Sequence, residues 1–115
     1  MYKRQVLARN QRGFAKAVKE SSVSRGEMYI CGSVLSNSAR GYDAAFELSK
    51  RQCADNMRAM SAGGIDYLDM IMLDYPGLDA ESIKGQWAAL EEMKAAGQVW
   101  KRPYLRQTRN FVSVI

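Results

Sequence analysis

The 115-residue chain is long enough for one modest domain, and 47% hydrophobic residues exclude a disordered composition. It has no histidine, which removes Ser-His-Asp and Cys-His catalysis and the common His-containing zinc sites. The net charge of +5 comes from the ends: residues 1–20 hold six Lys/Arg against Glu20, residues 100–115 hold four and no acid, and residues 21–99 hold seven basic against eleven acidic side chains. An acidic middle argues against a nucleic-acid-binding core, which needs a basic face, and leaves only weak phosphate contacts to the basic ends. No apolar stretch approaches the length of a membrane span, and no apolar core follows the basic Met1-Tyr2-Lys3-Arg4-Gln5. A cytoplasmic chain is therefore expected, with no membrane partner. Cys31 and Cys53 fit no CxxC pattern and are expected to be reduced, buried thiols.

In chain order, Asn10 is placed to cap a helix running through Glu20, with Phe14 and Val18 on one face and Gly13 as a weak point inside it. Ser21 to Gly26 is a polar loop. Glu27 to Leu35 reads as a strand with Met28-Tyr29-Ile30-Cys31 as its apolar body. Gly32-Ser33 reads as a strand loosening into a loop, or as a bulge or a close backbone approach. Ser36 to Gly41 is the loop itself. Tyr42 to Ala62 is the next helix, with Phe46, Cys53, Met57 and Met60 on its core face and Gly63 placed to close it in a left-handed conformation.

The stretch Ile65 to Gly77 organises the rest. It is nearly continuously apolar from Tyr67 to Leu73, and turn residues bound it at Gly63-Gly64 and Pro76-Gly77. That pattern fits a strand buried on both faces, ending at Asp74. Asp79 can cap a third helix, with Glu81 in its first turn and Ile83, Trp87, Leu90 and Met93 on one face. Gly97 ends it and Gln98-Val99 begins another strand. From Trp100 to Arg109 the chain is basic and aperiodic, and only Phe111 to Ile115 regains strand character. Strands alternating with helices indicate a parallel α/β sheet, whose strand C-termini carry chemistry. Three helices with two to three parallel strands do not close a core, so the chain reads as a slice of a larger α/β protein with raw sheet edges.

The order of these pieces resembles the aldo-keto reductase family from about residue 10 to residue 99. Arg25-Gly26-Glu27-Met28-Tyr29-Ile30 is similar to the family's third barrel strand. Ile65-Asp66-Tyr67-Leu68-Asp69 is similar to the family's "LDYVDLYLIHWPG", and Gln86-Trp87-Ala88-Ala89-Leu90-Glu91-Glu92-Met93 through Gly97-Gln98-Val99 to its "W-x-A-L-E-E-L-x-x-x-G-K-V". The resemblance implies a partial (β/α)8 TIM barrel at residues 10–99. An atypical basic segment, 1–9, precedes it, and a divergent basic segment, 100–115, follows. The break at Trp100 reads as a frame error, an alternative exon or a shortened gene.

The resemblance further implies an NADP(H)-dependent oxidoreductase of small carbonyl compounds, in which a Tyr acid, a Lys, an Asp and a carbonyl-orienting His do the protein's part. This sequence departs from that set. Leu7-Ala8-Arg9 stand where the Tyr belongs, and Ser33-Val34 where the Lys belongs. Asp74 occupies the His position, and Tyr75 follows it in place of the family's Trp, before a shared Pro76-Gly77. Arg109-Asn110-Phe111 echoes the family's nicotinamide-holding "SNF" but falls late. Asp74 has two readings: a neutral acid donating to a substrate carbonyl, as in a branch of the family that carries Glu there, or a strand-end carboxylate accepting backbone N–H bonds. No cofactor-binding or metal-binding residue is identified. The chain is expected to be inactive as it stands, binding no NADP(H). The alternative is a non-catalytic half-barrel that associates with itself or a partner through exposed strand edges.

Overall fold

The computed structural model describes residues 11–99 in full and the backbone of residues 2–5, 104–106 and 111–112. Strand β1 is Tyr2–Gln5, helix α1 Gln11–Glu20, β2 Ile30–Val34, α2 Tyr42–Ser61, β3 Met70–Asp74, α3 Ala80–Ala95, β4 Tyr104–Arg106 and β5 Phe111–Val112. The strands form one sheet in sequence order, β1-β2-β3-β4-β5. The first four run parallel, and β5 returns antiparallel to β4. The helix–strand alternation and the expected β2 and β3 are thus present in a partial (β/α) barrel sheet. The sheet is wider than the sequence suggested, because β1 and β4 join by backbone pairing without an apolar run to announce them. The expected Asn10 cap and the Leu7-Ala8-Arg9 position lie outside the described residues.

Helices α2 and α3 end in the same way. After α2, the amide of Gly64 bonds Ser61 O at 3.0 Å and that of Ile65 bonds Met60 O at 3.2 Å. After α3, Gly97 bonds Lys94 O at 2.9 Å and Gln98 bonds Met93 O at 3.2 Å. Both are Schellman closures, with a glycine in the left-handed region at φ 77. The left-handed residue after α2 is therefore Gly64 rather than Gly63. Gly63 instead makes room between helices. A Cβ there would lie 2.1 Å from the carbonyl oxygen of Ala15, so only glycine lets α1 reach the end of α2. At the other end of α3, Asp79 caps as expected, its Oδ1 accepting from the Ser82 amide at 2.8 Å.

Four strand expectations are corrected. β2 begins at Ile30 rather than Glu27, because Arg25–Glu27 closes a 3-10 turn, and Val99 makes an isolated bridge rather than opening a strand. Residues 65–69 are not strand. They carry the chain from α2 into the sheet, with Ile65 and Leu68 buried beneath it and Leu68 making an isolated parallel bridge to Val99. Gly32-Ser33 is no loosening but the buried middle of β2. A Cβ on Gly32 would lie 2.7 Å from Leu68 Cδ1 and 3.1 Å from Ile71 Cδ1, so the missing side chain is filled by its neighbours. The core gathers Ile30, Val34, Met60, Ile71, Leu73 and Leu90 between the sheet and the helices. Its helical faces are not purely apolar. Ser49 and Asn56 on α2, and Ser82 and Gln86 on α3, are buried with it, while Phe46, Met57 and Trp87 sit at its margin.

Candidate functional site

The start and the end of each strand are built differently. At the start, Arg25 and Asp69 form an ion pair of 3.0 Å, mostly shielded from solvent. Arg25 also donates to Met28 O at 3.1 Å and Tyr67 O at 2.9 Å, and its guanidinium lies 3.9 Å from the Tyr67 ring centroid. Asp69 Oδ2 accepts the Ile30 amide at 2.7 Å, and the Asp69 amide returns a bond to Ile30 O at 2.9 Å. This latch fixes the residue before β3 to the first residue of β2. It joins Arg25, in the 3-10 turn before β2, to Asp69, far off in sequence, and no local pattern announces it.

At the C-terminal end, polar side chains from α2 and α3 hold the backbone. Gln52 clasps Leu35 from both sides, its Oε1 accepting the amide at 2.6 Å and its Nε2 donating to the carbonyl at 2.9 Å. Asn56 donates to Ser33 O at 2.9 Å and accepts from the carboxamide of Gln11 on α1. Ser82 Oγ accepts the Gly41 amide at 2.8 Å. Gln86 Oε1 accepts the Gly77 amide at 2.8 Å. These bonds satisfy backbone groups that the sheet ladder leaves behind as each strand ends.

Asp74 closes β3 inside this frame and is 2% exposed. Arg106 stands opposite it in the β3–β4 register. The next residue, Tyr75, has φ 62, in the left-handed region that a residue with a side chain rarely takes, and the residue is 45% exposed. Ser33 and Val34, at the end of β2, lie beside Met72 and Leu73. Asp74, Ser33 and Val34 are thus brought to one end of the sheet, as the sequence suggested. Hydrogen bonds from the Ser82 amide and hydroxyl, with Arg40 adding, hold the Asp79 carboxyl below the usual carboxylate range. Neither cysteine forms a disulfide and both are buried, and burial pushes the Cys53 thiol up to about 12, which keeps it protonated and non-nucleophilic.

Among the described residues no group of three or more His, Cys, Asp or Glu side chains could hold a metal ion, and no helix is long and apolar enough to cross a membrane. An open cavity of about 590 Å³ is lined by Arg12, Lys16, Lys19, Glu20 and Ala62. It lies at the C-terminal end of α2, away from the loop that enters that helix.

No protein-family profile matches the chain. It is 33% identical over 96 residues to the glyoxal reductase of Bacillus subtilis (strain 168), a match covering 81% of this chain and 30% of that protein. It is 31% identical over 87 residues to the 9,11-endoperoxide prostaglandin H2 reductase of Trypanosoma cruzi (strain CL Brener), covering 73% of this chain and 26% of that one. Its fold superposes on the crystal structure of the aldo/keto reductase of Brucella melitensis with a TM-score of 0.66 at 21% identity, covering 93% of this chain and 39% of the other. The chain belongs to the aldo-keto reductase family. It spans 30% and 26% of the two curated relatives, so what it shares with them is a segment of the reductase barrel. In that barrel the strand ends at Val34 and Asp74 lie on the face where (β/α)8 enzymes place their chemistry. Ser33 and Val34 end β2 without a lysine, and the basic cavity lies elsewhere.

Proposed function

We propose that this chain is a strand–helix segment of an NADP(H)-dependent carbonyl reductase barrel in which the catalytic set is not assembled, so that the chain alone neither binds the cofactor nor turns over a carbonyl substrate. The observation that carries this reading is the makeup of the reacting end. β2 closes on Ser33-Val34 and β3 on a buried Asp74, where the family's lysine and histidine belong. Asp74 is the one residue here that we assign to the reacting position. In a complete barrel a carboxylic acid at this place, in its neutral form, donates a hydrogen bond to a carbonyl oxygen and so favours hydride delivery to the carbon. The test is titration of the chain with NADPH, followed by fluorescence, and an NADPH-consumption assay with glyoxal. The expected result is no saturable binding and no turnover above the blank. A dissociation constant in the low micromolar range overturns the reading.

A second reading is favoured by the sheet order. β1 and β5 each have a single strand neighbour among the described strands, whereas a closed barrel has no edge. An open, mainly parallel sheet of this kind can recruit a second copy or a partner strand as a non-catalytic module. Sedimentation of the full chain distinguishes the two readings: a stable, monodisperse dimer supports the module, and a folded monomer removes its motive.

A further inference from the structure

Gln86 on α3 is fully buried and touches two different loops. Its Oε1 accepts the amide of Gly77, 2.8 Å away, in the turn that follows Asp74. Its Nε2 donates to Ser36 Oγ, 2.9 Å away, in the loop that follows β2. Ser36 Oγ lies 2.6 Å from Ser49 Oγ on α2, and both serines are fully buried. One carboxamide therefore links the β3–α3 turn, the β2–α2 loop and, through Ser36, the adjoining helix.

We infer that Gln86 is a positioning residue that couples these two loops, so that residues 36–41 and 74–77 open and close as one unit. The physical reason is desolvation. Ser36, Ser49 and Gln86 lie out of reach of water, so a loop that swings away leaves its partners with unpaired polar groups. Separating Ser36 from Gln86 costs the bond at Nε2 and frees the carboxamide to rotate away from Gly77. A second tie runs beside it: Ser82 Oγ accepts the Gly41 amide and donates to Asp79 Oδ2 at 3.1 Å. Close packing reinforces both, because a Cβ on Gly77 would lie 2.7 Å from Ser82 Cβ. This inference goes beyond the reductase reading, since it concerns the chain's own loops and needs no cofactor.

The experiment is amide hydrogen exchange by NMR on the full ¹⁵N-labelled chain. Ser36→Ala changes a residue of the β2–α2 loop and removes its bonds to Gln86 and Ser49, touching no residue of the β3–α3 turn. The expected result is that the Gly77 amide, on the other loop, exchanges on the order of tenfold faster, the size expected when a buried hydrogen bond is lost, while amides of Ile71 to Leu73 keep their protection. Gln86→Met preserves side-chain volume and removes both bonds. It is expected to speed exchange at Gly77 and at Ala39, whose amide bonds Ser36 O at 3.3 Å. Unchanged Gly77 exchange in Ser36→Ala overturns the inference. So does a rise of equal factor across loops and sheet, which reports general destabilisation. Should Gln86→Met not fold, the single-atom deletion in Ser36→Ala still decides the matter.

Discussion

Arg25 and Asp69 show how much one pair of side chains can fix. With side-chain exposures of 21% and 15%, the pair lies close to the buried regime, where removing one partner leaves the other charge without compensation. Asp69→Ala also strips the Ile30 amide of its acceptor. It should lower unfolding free energy by ~2–3 kcal/mol, read from the shift of the urea midpoint at constant slope. A smaller gap than ~0.5 kcal/mol would mean that the pair behaves as an exposed one. Cys53 makes the opposite case, a side chain whose chemistry is suppressed by where it sits. Its thiol is raised from 9.0 to about 12 by burial. Below pH 9 the folded and unfolded chains both hold this proton, and the contribution is fully present. Above it the unfolded chain ionises first, so stability is lost as pH climbs toward about 12. In the native protein at about pH 8, iodoacetamide should leave Cys53 unmodified, and should label it rapidly once urea is added. Mass spectrometry of the tryptic peptide reads the difference.

Elements meet through glycines as much as through apolar faces. A Cβ at Gly85 would lie 2.2 Å from the carbonyl oxygen of Tyr42, the first residue of α2, and that oxygen belongs to backbone and cannot step aside cheaply. Gly85→Ala should therefore separate α2 from α3 and cost ~3 kcal/mol, more than the intrinsic helix preference of alanine returns. Thermal unfolding followed by circular dichroism checks the sign, because helix propensity alone predicts a gain. The helices, the Asp79 cap, the Gly97 stop and the end of β3 at Asp74 were legible in the sequence, since each is set by residues within a turn of one another. The buried polar residues were not. Asn56 and Gln86 fall on the apolar faces of their helices, but a polar residue type there does not say which group it will meet. Their partners are loop and strand-end groups 9 to 50 residues away, which need a side-chain partner only once the strands have ended. Gly63 was misassigned for a related reason: two adjacent glycines can each end a helix, and only the approach of Ala15 separates their roles.

The whole sheet was partly hidden as well. Tyr2–Gln5 and Tyr104–Arg106 carry too few apolar residues to read as strands, yet each pairs in parallel with a strong neighbour and follows its register. The C-terminal end of the sheet was legible as a place, through Asp74 and the turn behind it, while the residues that fill it read mainly as departures from the reductase pattern. That the sheet is parallel bears on how the chain can be made. The latch between Ile30 and Asp69 spans 39 residues, so β2 has no β3 to lie against until all of α2 has been synthesised. At about 5–20 residues per second, a nascent chain waits about 2–8 s with the apolar Ile30–Val34 segment lacking that neighbour. For most of that interval α2 is itself unfinished, and the strand partner already available to β2 is β1, which precedes it in the chain and pairs with it in parallel.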